Sequence, residues 1–278
     1  MLNLFSDLPS DVVVFTFIFG VIIGSFLNVV IYRLNTGKSL NGSSHCLSCG
    51  AKLRAYELIP LLSYLILKGR CRNCGSVIPV RYFLVEFLTG ILFVGVVMFV
   101  SGVFAQLLFW FVMAVLVVVA VYDLYHFIIP DKLVLLLVFA SFVYQFYQLI
   151  LGLSAIEFAF NLGAALLGSF FLFLLWRLSD GRWIGFGDVK LAFPLGLLVG
   201  YAWVFSLIIW SFWVGALVGL SLLVWQRIKT RGQPHLRFLA RELTIKSAVP
   251  FAPFLIVGFL IVFFFSLDVI SLVSYVPK

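Results

Sequence analysis

Seven apolar runs of membrane-spanning length punctuate this sequence, and they decide most of what it can become. They fall at about residues 12–32, 82–100, 103–122, 132–151, 157–177, 203–225 and 249–270. The hydrocarbon core of a bilayer takes about 20 helical residues to cross. A shorter run at about 189–201 adjoins the sixth, and 189–225 together is too long for one crossing. That region is therefore divided into a short sixth helix and a seventh. The expectation is an all-α polytopic membrane protein with about eight transmembrane helices. Composition agrees: 64% of residues are hydrophobic, 11% are charged and the mean hydropathy is +1.19. Soluble domains carry about 25% charged residues.

Charge distribution sets the orientation. Eight crossings with an external N-terminus place residues 33–81, 123–131, 178–188 and 226–248 on one side. Of the 19 Lys and Arg residues, all but Lys278 lie in those loops or at the adjoining helix ends. The positive-inside rule makes that side cytoplasmic. Basic loops facing anionic lipid explain the net charge of +8 without a nucleic-acid partner. The first 11 residues hold two acids and no Lys or Arg, unlike a cleavable signal, so the first run is expected to be retained. The chain divides into a first helix (1–32), a cytoplasmic loop (33–81) and a helical membrane domain (82–278). The basic stretch 226–248 reads equally as an interfacial helix or as a solvated linker.

The large loop contains all four cysteines, Cys46, Cys49, Cys71 and Cys74, as C-x2-C-x21-C-x2-C. Each pair can present two thiolates from one tight turn, with Gly50 and Gly75 placed to accept positive φ. Four thiolates suit a closed tetrahedral Zn2+ site, structural because no position is left for water. Two disulfides are the alternative, which a reducing cytoplasm disfavours.

Of the 11 acids, four lie at or inside apolar segments. Glu86 sits just inside the second run. Asp123 ends the third, in YDLYHFIIPD, and Asp131 follows Pro130 as a natural helix cap. Asp188 opens the sixth helix, in GFGDVKLAFPLG. A carboxylate in such a place usually faces a cavity or a partner. Gly185 and Gly187 are expected to let another backbone, such as that of a substrate, approach Asp188. Asp123 and Asp188 at one depth can form a dyad in which one carboxylate activates water and a protonated partner donates to a carbonyl. No G-x-S-x-G or H-E-x-x-H is present, and His126 reads as an interfacial side chain. An ion-coupled transporter would also carry intramembrane acids, but the two halves show no repeat. A membrane anchor whose basic loop binds a partner is a third reading.

Taken together, GSFLNVVIYRL (24–34), the paired C-x2-C motifs, ELIPLLSYLILKGRCRNCG, RYFLVEFLTG, YDLYHFIIPD and GFGDVKLAFPLG resemble, in order, the type IV prepilin leader peptidases of the GxGD aspartyl protease class. The resemblance implies cleavage of the basic leaders of prepilins or pseudopilins after Gly, on the cytoplasmic side of a bacterial inner membrane. It also implies N-methylation of the new terminus with S-adenosylmethionine; a peptidase without that second activity is the alternative. It assigns catalysis to Asp123 and Asp188, and methyl transfer to the N-terminal third, where Gly24, Asn28 and Glu86 are the candidates. Glu86 could hold the substrate's α-ammonium. The sequence departs from the family pattern at Leu47, Leu58, Tyr125 and Pro194, none of them an aspartate or cysteine of the motifs.

Overall fold

The computed structural model describes residues 9–36, 39, 41–231 and 250–269, without the side chains of 226–231. Nine α-helices appear among these residues: α1 (Ser10–Arg33), α2 (Leu62–Ile66), α3 (Arg81–Phe99), α4 (Val103–His126), α5 (Asp131–Ile150), α6 (Ala155–Leu178), α7 (Phe186–Val199), α8 (Val204–Arg231) and α9 (Ala252–Phe265). A 3-10 turn, Ala55–Leu58, precedes α2. The described residues form no strand, only isolated bridges at His45–Lys52 and Arg70–Val77. The all-α expectation holds. Six helices, α1, α3, α4, α5, α6 and α8, are long and apolar enough to cross a membrane. The other two apolar helices, α7 and α9, have 14 residues each, about 21 Å.

The chain packs as two units, Met1–Val121 and Tyr122–Lys278. In the first, α1 lies along α3. The contact is made by a small-residue motif in α1, Gly20-x-x-x-Gly24, of the kind that lets helix backbones approach closely in lipid. A methyl group on Gly24 would lie 2.7 Å from Glu86 Cα, and one on Gly20 would lie 2.8 Å from Gly90 Cα. Backbone cannot yield as a side-chain tip can. Gly24→Ala should therefore destabilise the protein by about 1–3 kcal/mol, the usual penalty of overpacking. Thermal unfolding in detergent, with Gly163→Ala as an uncrowded reference, measures this. Trp110 reinforces the unit, stacking on Phe93 at 5.2 Å and donating to the Phe93 carbonyl at 3.0 Å.

In the second unit α7 is enclosed by α5, α6, α8 and α9. Nine of its 14 residues are buried, from Asp188 to Leu198. A helix faced by protein on all sides need not match the bilayer thickness, which is why a short one suffices here. Its far end is fixed by a polar chain: Gln145 Nε2 donates to the Leu197 carbonyl at 2.6 Å, Asn161 Nδ2 to Gln145 Oε1 at 3.1 Å, and Tyr201 N to Asn161 Oδ1 at 2.8 Å. Glu157 closes a capping box with Ser154 at the start of α6. The stretch 226–248 lies mostly outside the described residues; its first part, 226–231, continues α8.

Candidate active site

Asp123 lies in the last turn of α4 and Asp188 in the first turn of α7, each about 5% exposed. Both belong to the second unit. Asp123 is near enough for its charge to be felt at Asp188, despite their separation in sequence. Each is held by one backbone donor at a helix N-terminus. Gly185 N donates to Asp188 Oδ2 at 3.0 Å, and Ala252 N, opening α9, donates to Asp123. N-terminal N–H groups have no partner within their own helix and favour negative charge. Each aspartate keeps one buried oxygen, Asp123 Oδ2 and Asp188 Oδ1, that makes no hydrogen bond within the protein. Buried polar atoms rarely go unpaired, and those that do point to a ligand, a water or a reaction.

The surroundings correct two sequence expectations. The helix of Asp188 begins at Phe186, not after the aspartate, so Asp188 is its third residue and Pro194 falls in its third turn. Gly185 is the N-cap of α7, and Gly187 faces Ile129: a methyl group there would lie 3.1 Å from the Ile129 side chain. Gly187 thus lets Ile129 of the 127–130 turn close on α7, while a methyl group on Gly185 would lie 3.1 Å from Asp188 Oδ2. Asp131 does not cap α5 either. The N-cap is Pro130, and Asp131 pairs with Lys190, whose ammonium lies 5.2 Å from the centre of the Phe186 ring. Two contacts, Gly187 with Ile129 and Lys190 with Asp131, therefore seat the start of α7 against the segment that follows Asp123. The sequence carried no signal for Ala252 or Ile129, because partners so distant along the chain have no periodicity to reveal them. His126 is exposed and packs its ring 4.3 Å from that of Tyr122.

In the first unit the four Sγ atoms of Cys46, Cys49, Cys71 and Cys74 lie within 4.8 Å of one another. Cys46 Sγ and Cys74 Sγ are 3.9 Å apart. A tetrahedron with 2.3 Å metal–sulfur bonds has edges of about 3.8 Å, so the donor set fits a four-thiolate metal site. The two turns match. Cys46 N donates to the Ala51 carbonyl and Gly50 N to that of Cys46; Cys71 N donates to the Ser76 carbonyl and Gly75 N to that of Cys71. Gly50 and Gly75 take φ of +71° and +70°, where a Cβ would be strained. The backbone N–H groups of Cys49 and Ser48, with the Ser76 hydroxyl, lower the Cys46 thiol from 9.0 to about 6. The Ser76 hydroxyl and backbone lower Cys74. Both shifts favour the thiolate that a metal needs.

A cavity of about 230 Å³ lies against this cluster, with Cys46, Cys71, Asn28 and Glu86 in its wall. Glu86 is buried; its Oε2 accepts from Leu61 N at 2.8 Å, and Ser25 also donates to the carboxylate. Asn28 Nδ2 donates to the Tyr82 carbonyl at 3.0 Å. Asn28 and Glu86 thus share one cavity, while Gly24 serves the α1–α3 contact behind it.

Comparison with known proteins agrees with this layout. Residues 18–100 match the bacterial peptidase A24 N-terminal domain, and residues 110–220 match the type IV leader peptidase family. A protein of Myxococcus xanthus (strain DK1622) is 35% identical over 217 residues, 76% of this chain and 63% of the relative. One from Burkholderia pseudomallei (strain 1026b) is 31% identical over 282 residues, 91% of this chain and 86% of the relative. One from Dichelobacter nodosus is 29% identical over 296 residues, covering 95% of both. All three are named prepilin leader peptidase/N-methyltransferase. No solved structure matches the chain. By its similarity over nearly its whole length, and by the two matching family regions, this chain belongs to the type IV leader peptidase family.

Proposed function

We propose that the chain is a membrane aspartic endopeptidase that removes the basic leader of type IV prepilins or pseudopilins after Gly, and then methylates the new N-terminus. The observation that carries the peptidase reading is the pair of buried carboxylates in the second unit, each with one oxygen left without a protein partner. Burial and a like-charged neighbour both disfavour ionising the two carboxyls together, so the reading has the pair share one proton. The ionised member takes a proton from water, the hydroxide oxygen bonds to the scissile carbonyl carbon, and the protonated member donates to the carbonyl oxygen. Collapse breaks the C–N bond, and the departing amine takes a proton from the dyad. The basic loops support a cytoplasmic active site in a bacterial inner membrane with eight crossings.

The four thiolates would hold Zn2+, whose part is to tie the two cysteine turns together. S-adenosylmethionine supplies the electrophilic methyl group. The cavity wall supports a methyl-transfer site in the first unit, where the buried carboxylate of Glu86 would hold the substrate's α-ammonium and Asn28 orient it.

The test is mass spectrometry of a prepilin after incubation with the purified protein and S-adenosylmethionine. A product cut after Gly and heavier by one methyl group at its N-terminus is expected. An uncut prepilin would dispose of the whole reading, and a cut, unmethylated product would leave the peptidase alone. Glu86→Gln should lower methylation by about 10²-fold, the low end for loss of a positioned ionisable group, while cleavage continues. Equal loss of both activities would instead make Glu86 a structural residue.

A further inference from the structure

Between the two cysteine turns runs an apolar face that nothing among the described residues covers. Leu58, Ile59, Leu62, Leu65 and Ile66 are all exposed, Leu62 at 56%, Leu65 at 59% and Ile66 at 76%. Five large apolar side chains exposed within nine residues would be a liability in water.

Two contacts fix the depth of this segment beside α3. Leu61 N donates to Glu86 Oε2 at 2.8 Å, and the Tyr64 ring packs on Phe83 with centroids 5.6 Å apart. The chain is bent into place by a γ-turn: Leu62 N donates to the Pro60 carbonyl, and Leu61 takes φ +59°, ψ −52°. That conformation is rare and strained for a leucine, so surrounding contacts must hold it. The α3 helix has 19 residues, about 28 Å, against a hydrocarbon core of about 30 Å. It has no turn to spare outside the membrane. Phe83 and Glu86 lie two and five residues from its Arg81 end, about 3–8 Å along the axis. With α3 spanning the bilayer over its full length, α2 lies level with the acyl boundary.

We propose that the segment Leu58–Ile66 is an interfacial anchor that dips into the lipid leaflet on the side of the cysteine loop. Its apolar side chains meet acyl chains, and the exposed Lys68 and Arg70, directly after α2, meet anionic headgroups. The partner is the lipid surface itself. The loop would then be held at the membrane at two places, the start of α3 and this anchor, which fixes the metal turns close to the bilayer. The inference rests on the membrane-spanning character of α1 and α3 and does not depend on the peptidase reading.

A nitroxide amino acid placed at Ile66 by genetic encoding, in full-length protein reconstituted into bilayers containing anionic lipid, tests it. Asn41, exposed in the polar part of the loop, is the reference. At Ile66 collisions with oxygen should exceed those with a water-soluble nickel chelate several-fold, and the order should reverse at Asn41. Dominance of the nickel chelate at Ile66 would overturn the proposal. Low access to both reagents would mean that a protein surface covers the face, residues 232–249 or a second copy, and would overturn it as well. No activity is measured, so the outcome is separable from the fate of the enzymatic assignment.

Discussion

Asp188→Asn and Asp123→Asn are each expected to reduce the rate of prepilin cleavage by about 10³-fold or more. A positioned acid or base contributes about 10²–10⁴-fold, and here each replacement leaves the other carboxyl without the partner that shares its proton. The double variant should be little slower than either single one, because residues that act as a unit are not additive. Folding should survive. The Asn amide oxygen can still accept from Gly185 N at the start of α7, so the cap persists, and no buried charge is stranded. An unchanged melting temperature, retained metal and continued methylation of a pre-cleaved peptide would separate lost chemistry from lost structure. Substantial cleavage by either variant would end the dyad assignment.

The second large effect concerns the metal. Purified protein should contain one zinc per chain, and Cys71→Ser should remove it. Among the described residues from 41 to 80, Cys71 is the sole buried hydrophobic side chain, so the loop has almost no core of its own. Structural zinc in small thiolate domains contributes roughly 10–16 kcal/mol, which becomes folding energy. Without it the 41–80 region should open to limited proteolysis while the second unit stays resistant. Acid should act in the same direction. Protons compete with the metal for the four thiolates, so zinc content and protease resistance should decline together as the pH falls. A stoichiometric loop with no metal, or cysteines recovered as disulfides, would contradict the assignment.

The chemistry of this protein was legible because its carriers stand out from their background. Four cysteines in matched C-x2-C turns and two acids at the ends of greasy helices are conspicuous in a chain that is 64% hydrophobic. Even the turn glycines, Gly50 and Gly75, could be assigned a positive φ from position alone, since a local turn depends on neighbours in sequence. The same local reasoning went only part of the way at Gly187: it foresaw a close approach but could not name the Ile129 side chain that makes it. It also took Asp131 for a cap, when its partner is Lys190, far along the chain.

Helix identity, loop charge and donor chemistry were determined by sequence alone, because hydropathy over about 20 residues and short-range spacing are properties of contiguous chain. Tertiary structure decided the rest. It set α7 in the middle of the second unit, where a 14-residue helix escapes the bilayer's length requirement. It delivered the N–H groups of Gly185 and Ala252 to the two aspartates. It also turned α2 back against α3 through the strained bend at Leu61. Each depends on groups distant in sequence meeting at one place, and in an apolar chain the packing of small residues and a few buried hydrogen bonds chooses those meetings, which periodicity does not encode.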